Sequence, residues 1–283
     1  MHGPNRVPAS LRFMPAKLAS LRVAIDASPL LPGTRPIDLR YQEGGRGAPI
    51  VLLHGGWGYA FYPHDDAIAK LERRFVIPDR TGYGGSPHIT DLPPKFHLAA
   101  AIETEKLLDA LGIERSVLWG HSDGAVIAAI LAIRDPDRYD GIIVEAIHLD
   151  RAKPRSRDFF LQMLNDPDSF GERVTRKLAE EHGKDYWRTI IRAGGRAWLD
   201  IAATPNEDFY EHRLHELRVP MLVVHGADDP RTEPGELDRI RREVRTARIE
   251  MIERGGHSPH SAPATAAQVT AIVGGFLASL TDR

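Results

Sequence analysis

The segment WGHSDGAVIAAILA, residues 119–132, joins a strand pattern to a helix pattern and is the most informative part of the sequence. It begins in an apolar run, SVLWGHS, and ends in an Ala- and Ile-rich segment typical of a helix packed on a sheet. Between them lies the G-x-S-x-G string Gly120-His-Ser122-Asp-Gly124, where a serine stands on the turn from strand to helix. Such a string arises by chance in roughly one chain in ten of this length, so its meaning depends on the residues around it.

Short apolar, β-branched runs recur on both sides of this stretch. They cover residues 49–56, 74–86, 116–122, 139–148 and 219–226, and a more alternating run at 247–253 is typical of an edge strand. Runs that are apolar on both faces favour a buried parallel sheet, and their alternation with helices predicts right-handed crossovers. We therefore predict a doubly wound, mostly parallel α/β sheet, led by an antiparallel hairpin at residues 21–26 and 36–43.

Helical patterns separate the strands at residues 97–112, 123–139 and 263–280. In the first of them the apolar residues fall on one stripe and the pattern stops at Gly112. The stripe consists of Leu98, Ile102, Leu107, Leu108 and Leu111.

Residues 150–215 break the alternation, because their pattern indicates several helices and no strand. An insertion between the fourth and fifth core strands covers the carboxyl edge of the sheet, where open α/β folds keep their sites. We predict a core formed by residues 1–149 and 216–283, with residues 150–215 as a helical cap. Most of its large side chains are expected to attach the cap to the core, and the others to line an apolar pocket. These side chains are Phe159, Phe160, Met163, Tyr186, Trp187, Trp198, Phe209 and Tyr210. The arginines 188, 192 and 196 are expected to form a solvated face.

Composition limits the partners. The 283 residues carry a net charge of −2, with no basic run and no apolar stretch of transmembrane length, so neither nucleic acid nor a membrane is predicted. Without cysteines, disulfides, a thiol nucleophile and thiolate metal sites are excluded. The N-terminal arm, residues 1–20, shows no secretory signal, and we expect a cytoplasmic protein with a small-molecule substrate. We expect no cofactor and no metal, and the oligomeric state is not predicted.

A serine hydroxyl is a weak nucleophile without a base. The late segment GGHSPH supplies His257 shortly after the last strand, with His260 as its competitor. The same pair is a weak candidate for metal binding, because the intervening proline opposes a helical ligand face. We favour His257 as the base of Ser122.

The imidazole of a catalytic histidine needs a carboxylate to fix its tautomer. Asp228 and Asp229 follow the run at residues 219–226, and Asp150 follows the preceding run. We favour Asp229, although aspartates before a proline often serve only as turn formers. The order Ser122, Asp229, His257 matches one of the known orders of serine triads.

An oxyanion hole needs two backbone N–H groups. One is expected from Asp123, which follows the serine and opens the helix. The other is expected from the early loop HGGWG, where Gly56 is the first choice and Trp57 the second. The alternative interpretation is a helix-capping serine and an ordinary glycine turn.

Taken together, the blocks HGGWG, DRTGYGGS, GHSDG, HGADD and GGHSPH resemble those of the α/β-hydrolase superfamily over roughly residues 36–280. The resemblance implies a catalytic triad of Ser122, Asp229 and His257 under a helical cap. It also implies a structural role for the pair Asp79-Arg80. Ala125 stands where many members have a second glycine, which is a mild departure.

The resemblance and the residues together predict a hydrolase that cleaves carboxylic esters of small to medium substrates through an acyl-enzyme. Alternatives are a lactonase, a C–C bond hydrolase and an aminoacyl-ester or peptide hydrolase. In the last case the carboxylate of Asp123 would bind a substrate ammonium group. Some members of the superfamily that cleave amino-acid esters resemble this chain in having Ser-Asp on the turn after the strand, where the aspartate can bind such a group. The non-enzymatic alternative is a ligand-binding receptor on a hydrolase scaffold.

Overall fold

The computed structural model describes residues 17–281 and contains an eight-stranded sheet. The first sixteen residues of the expected N-terminal arm lie outside the described residues. The strands are β1 (Ala19–Ile25), β2 (Ile37–Gly45), β3 (Pro49–Leu53), β4 (Arg74–Pro78), β5 (Ser116–His121), β6 (Tyr139–Glu145), β7 (Met221–Gly226) and β8 (Ala247–Ile252). Their order in the sheet is β1-β2-β4-β3-β5-β6-β7-β8.

The strand pairing confirms the predicted sheet. β1 and β2 form an antiparallel hairpin and β2 joins β4 antiparallel, whereas all pairs from β4 to β8 are parallel. β8 lies at the edge, as its alternating sequence predicted. Parallel strands bring all their carboxyl ends to one edge, which is where the loops after β3, β5, β6, β7 and β8 meet.

Helices cover both faces of the sheet. They are α1 (Asp65–Lys70), α2 (Phe96–Ala110), α3 (Asp123–Arg134), α4 (Arg157–Asn165), α5 (Glu172–His182), α6 (Trp187–Ala202), α7 (Glu236–Glu243) and α8 (Ala266–Thr281). Because side chains alternate along a strand, neighbours on β5 enter different apolar clusters. Leu118 lies in the cluster that includes α2 and α3, and Trp119 lies in the one that includes α8.

The predicted stripe of α2 is only partly right. Leu107 and Leu108 are buried, but Leu98, Ile102 and Leu111 are half-buried. The remaining buried apolar face consists mainly of the alanines at 99–101. This helix packs closely against α3, and small side chains allow the two backbones to approach.

The segment between β6 and β7 contains α4, α5 and α6 together with short 3₁₀ turns, and no strand is present in this described segment. The segment is held to the core by polar contacts as well as by apolar ones. The Tyr186 hydroxyl, at the start of α6, lies 3.0 Å from the carbonyl oxygens of Gly82 and Ile89. On the opposite side of α6, Arg192 and Arg196 are exposed, while Arg188 forms an ion pair with Asp168. The arginine face is therefore solvated, as expected.

Candidate active site

Ser122 lies on the turn between β5 and α3, in a backbone conformation that residues other than glycine rarely adopt. Its φ and ψ angles are 54° and −117°, and such strain is typical of functional turns. A Cβ atom at Gly120 would overlap the carbonyl oxygen of Gly124, and one at Gly124 would overlap the carbonyl oxygen of Leu53. Only glycine fits at these two positions, so the spacing of the G-x-S-x-G string follows from the tightness of the turn.

The side chain of Ser122 does not cap α3, because it makes no hydrogen bond to the first turn of the helix. Its Oγ atom instead lies 3.4 Å from Nε2 of His148, a long contact at the end of the β6 strand region. The backbone N–H of Ser122 donates to the carbonyl oxygen of Glu145 at 2.9 Å. The hydroxyl is thus turned into the space above the sheet rather than toward the helix backbone.

The structure joins His257 to one of the three candidate acids. Nδ1 of His257 lies 3.0 Å from both carboxylate oxygens of Asp229. Asp229 also accepts the backbone N–H of Arg231 at 2.9 Å. Asp228 is exposed, and Asp150 lies 4.0 Å from an arginine instead.

Burial and hydrogen bonding set the protonation of this pair. Burial by itself would raise the pKa of Asp229, but the hydrogen bond and charge of His257, together with the backbone N–H of Arg231, hold that pKa below its ordinary range. Burial lowers the pKa of His257, and the nearby positive charge of Arg231 lowers it further against the opposing effect of Asp229. His257 is therefore a neutral imidazole at pH 7, with its buried Nε2 atom free of any partner among the described residues.

His260 has a different environment. Its Nδ1 atom lies 2.6 Å from Oε1 of Glu145 and its Nε2 atom lies 2.9 Å from the carbonyl oxygen of Tyr62. Both of these oxygens are acceptors, so each ring nitrogen of His260 must carry a hydrogen to bond them. Burial opposes a positive charge on the imidazole, but the carboxylate of Glu145 outweighs this effect and the pKa of His260 is raised. With both ring nitrogens engaged, His260 is a structural residue that ties the loop of His257 to the end of β6.

The residues expected to supply the oxyanion donors line the same pocket as Ser122. The backbone N–H groups of Gly56, Trp57 and Asp123 donate to no other group in the described part of the chain. Asp123 is the first residue of α3, where N–H groups are free and the helix dipole is positive. The loop after β3 and the start of α3 therefore offer donors from two sides.

The carboxylate of Asp123 already has three protein neighbours. It lies 3.2 Å from Nε2 of His97, 3.1 Å from Nε1 of Trp198 and 3.9 Å from a guanidinium nitrogen of Arg80. These partners lower the pKa of Asp123 although burial opposes them.

Asp79 accepts hydrogen bonds from Arg40 and from a backbone N–H of its own loop, which is a structural role.

A pocket of about 470 Å³, its opening to solvent included, lies over these groups. Half of the eight large side chains named above for the predicted cap line this pocket, more than expected. The lining residues are Gly56, Trp57, Tyr62, His121, Ser122, Asp123, His148, Phe159, Phe160, Met163, Gly194, Trp198, Arg231 and His257.

Among the lining residues that the sequence analysis did not single out, His148 and Arg231 carry titratable or charged groups beside Ser122 and His257. The only sequence signal for each is its position: His148 closes the apolar run at residues 139–148, and Arg231 follows Asp229 by two residues. Within residues 17–281 no group of three or more histidine, aspartate or glutamate side chains is arranged to hold a metal ion. In the same range, no helix is long and apolar enough to cross a bilayer.

Comparison with known proteins places the chain. A sequence profile described as the alpha/beta hydrolase family matches residues 50–269. The chain belongs to the alpha/beta hydrolase family.

The human serine hydrolase BPHL is similar to this family member, with 25% identity over 269 residues, which span 92% of this chain and 87% of the relative. A 2-hydroxy-6-oxononadienedioate/2-hydroxy-6-oxononatrienedioate hydrolase of Paraburkholderia phymatum is 28% identical over 235 residues, 71% of this chain and 77% of the relative.

Among solved structures, a thermophilic esterase from Thermogutta terrifontis superposes with a TM-score of 0.70 at 23% identity, covering 92% of this chain and 99% of the esterase. This structural likeness is one of fold. With the family established and the named relatives being hydrolases, the present chain is a hydrolase.

Proposed function

We propose that this hydrolase cleaves carboxylic esters of small to medium substrates with Ser122 as nucleophile, His257 as general base and Asp229 as the acid that orients it. One observation carries the proposal. His257 is held by both oxygens of Asp229 at 3.0 Å while its Nε2 atom is unpartnered in the pocket that Ser122 also lines. A strained elbow serine near a carboxylate-held imidazole is the arrangement that acyl transfer requires.

The proposed steps follow from this geometry. Nε2 of His257 takes the proton of Ser122 as the hydroxyl attacks the ester carbonyl, and Asp229 stabilises the imidazolium that forms. The N–H groups of Asp123 and Gly56, with Trp57 as the neighbouring donor, bind the oxyanion. His257 then protonates the departing alcohol and activates a water molecule that hydrolyses the acyl-enzyme.

His148 does not meet the requirements of a general base. Its Nδ1 atom has no partner among the described residues, so no carboxylate fixes its tautomer. Burial, and after it the charge of Lys153, lowers its pKa well below the ordinary value for histidine. In the proposed reaction the hydroxyl of Ser122 turns from His148 to His257, since catalytic hydrogen bonds often tighten only with substrate bound.

We propose residues 150–215 as the cap of this site. Phe159, Phe160 and Met163 of α4 and Trp198 of α6 form the pocket wall opposite the sheet. Their apolar surfaces suit a small or medium acyl or aryl group, and they exclude water from the reacting atoms.

The alternative substrates are supported unequally. The relative from Paraburkholderia keeps a C–C bond hydrolase in consideration, and a lactone would use the same groups as an ester. An aminoacyl ester is less well supported, because His97, Trp198 and Arg80 already surround the carboxylate of Asp123. The receptor alternative is the least supported, since the named relatives are hydrolases.

The first test is turnover of short p-nitrophenyl esters by the wild type and by Ser122→Ala. We expect the alanine variant to lose about a thousandfold or more in kcat, because the nucleophile is removed. Ser169→Ala, at an exposed serine of the cap, is the matched control and should keep wild-type rates. Equal activity in Ser122→Ala and the wild type would contradict the assignment, and no turnover of any ester would contradict the substrate class.

A further inference from the structure

Arg231 places a positive charge in the wall of the proposed active site. It lies in the loop after β7 and lines the same pocket as Ser122 and His257. Its guanidinium carbon lies 3.9 Å from the centre of the Phe159 ring, and the guanidinium also interacts with the hydroxyl of Tyr62. The side chain thus bridges the core and the cap at the edge of the cavity.

This guanidinium has no acidic partner within the described residues. Asp229, the nearest aspartate in sequence, uses both carboxylate oxygens on His257 and forms no ion pair with the Arg231 side chain. Arg80, the other arginine close to the site, differs because Asp123 lies 3.9 Å away and two carbonyl oxygens accept its N–H groups. A partly buried cation without a counter-ion inside a pocket is costly unless something else supplies the negative charge.

The charge also acts against the proposed base. Arg231 lowers the pKa of His257, second only to burial, and it lowers the pKa of His148 as well. It therefore disfavours the imidazolium that must form when Ser122 attacks. An anion bound to Arg231 would remove this opposition at the moment a substrate is present.

We propose that Arg231 binds a carboxylate carried by the substrate, so that this hydrolase prefers anionic esters such as monoesters of dicarboxylic acids. The inference rests on the proposed esterase function and narrows its substrate class. A guanidinium stacked on an aromatic ring is restricted in orientation and presents paired N–H donors, the geometry that a carboxylate accepts. The bound carboxylate would balance the charge of Arg231 and leave His257 with the full stabilisation by Asp229.

A purely structural role of Arg231 would change the rates on charged and neutral substrates in a different way. If Arg231 only joins the cap to the core through Phe159, its removal slows charged and neutral substrates to the same degree. Phe159→Leu separates the two roles, because it removes the stacking partner and keeps the guanidinium. We expect this variant to retain the preference for the carboxylate, although both rates fall.

The experiment compares kcat/KM for two pairs of esters that differ only in charge. Ethyl hydrogen glutarate and its amide, ethyl glutaramate, carry the group on the acyl side. O-butyrylglycolate and O-butyrylglycolamide carry it on the alcohol side. In at least one pair we expect the wild type to prefer the carboxylate by about tenfold or more, the range of one charge-assisted hydrogen bond.

The variant Arg231→Gln should lower the rate on the preferred carboxylate by about tenfold to a hundredfold and change its neutral amide counterpart by less than about threefold. Arg231→Lys should restore part of the preference, since it keeps the charge without the fork of donors. The control is Arg188→Gln, which removes another ring-stacked arginine that is half-exposed and paired with Asp168; it should behave as the wild type. Equal losses on both members of each pair, or no preference in the wild type, would overturn the inference.

The test of the Arg231 inference can be distinguished from the test of the proposed esterase function. Cleavage of the neutral esters without any charge preference would leave the esterase proposal intact and refute the role of Arg231. If no ester is cleaved, the esterase proposal fails, and the role of Arg231 is decided by calorimetric titration with glutarate. Binding to the wild type at least tenfold tighter than to Arg231→Gln would support it; equal or absent binding would refute it.

Discussion

Two imidazoles face the hydroxyl of Ser122, and a carboxylate holds only one of them. His148 is nearer in the structure, at 3.4 Å, whereas His257 has the partner that fixes its tautomer. The distinction matters because proximity and basicity are separate properties. A base must both reach the hydroxyl and be stabilised when it becomes charged, and for His148 burial and the positive charge of Lys153 oppose that second condition.

Replacing each histidine separately distinguishes these roles. We expect His257→Ala to lower kcat by about a thousandfold or more, as loss of the general base does in other triads. His148→Ala should cost about tenfold or less, because it removes a polar wall of the pocket and no proton acceptor. Steady-state kinetics on one ester give the comparison, with His215→Ala at an exposed histidine as the control. A larger loss in His148→Ala than in His257→Ala would reverse our assignment.

At the scale of elements, the end of α5 is docked on the loop that follows β3. Nε2–H of His182 donates to the carbonyl oxygen of Trp57 at 3.1 Å, and Nδ1 of the same ring accepts the N–H of Gly84 at 3.0 Å. Oε1 of Glu181 accepts the N–H of Ala60 at 2.8 Å, while its Oε2 atom is buried and has no partner among residues 17–281. These hydrogen bonds attach the proposed cap to the loop that supplies the proposed oxyanion donors Gly56 and Trp57.

We expect the stability of the protein to depend on pH through the carboxyl group of Glu181. Burial raises the pKa of Glu181 from 4.5 to about 7, although the backbone N–H groups oppose the shift. Between these two values the unfolded chain binds fewer protons than the folded one, so stability falls as pH rises through this window. The loss attributable to Glu181 reaches about 3 kcal/mol at most.

Glu181→Gln should remove that part of the pH dependence. Urea unfolding at pH 5 and pH 8 measures it, as the difference between the two unfolding free energies for the variant and the wild type. Glu180→Gln, at the exposed neighbour, is the matched control and should leave the pH dependence unchanged. An unchanged difference in Glu181→Gln would show that Glu181 ionises freely in the folded protein.

At the scale of the whole molecule, the cap and the sheet share one apolar cluster. It runs from Val51 and Leu118 in the strands to Trp187 and Trp198 in α6. Ring contacts extend it to partly buried side chains, since Trp57, a member of the cluster, stacks on Phe159 of α4 at 5.5 Å. Shared burial of this kind couples the unfolding of the two parts.

We therefore expect one cooperative unfolding transition. The variant Trp119→Phe removes the tryptophan of the sheet, so that its fluorescence reports on the β3 loop and the cap, while far-UV circular dichroism reports on the whole chain. The midpoints of the two signals in urea should coincide in this variant and in the wild type. A fluorescence transition at lower urea would mean that the cap opens before the core unfolds.

Local sequence patterns predicted most of the fold, because their physical causes are local. Alternation of strand and helix patterns follows from hydrogen bonding and burial within single segments, and it was sufficient to predict the mostly parallel sheet with its leading hairpin. The buried face of α2 was only partly predicted. Much of that face consists of alanines rather than leucines, and these small side chains allow α2 to pack closely against α3. The position of Ser122 followed from the steric demand of a turn between two glycines.

The site could be predicted only as far as residue type and order constrain it. The order Ser122, Asp229, His257 indicated which segments meet at the carboxyl edge of the sheet. Whether Asp228 or Asp229 points at the imidazole, and whether His257 or His260 is free, depends on loop conformations after β7 and β8. These conformations are set by contacts with distant segments, such as Glu145 with His260, and no local pattern encodes them.

Residue patterns alone were sufficient to predict the architecture, the turn serine and the chain order of the catalytic candidates, since steric and periodic constraints act between near neighbours. Three features depend on the folded chain: His148 stands beside Ser122, the carboxylate of Asp123 is already surrounded, and Arg231 lines the pocket with no acidic partner in the described part of the chain. The physical reason is that charge compensation and burial depend on which remote segments meet. Packing of the whole chain sets those meetings, and through them the charge inside the pocket.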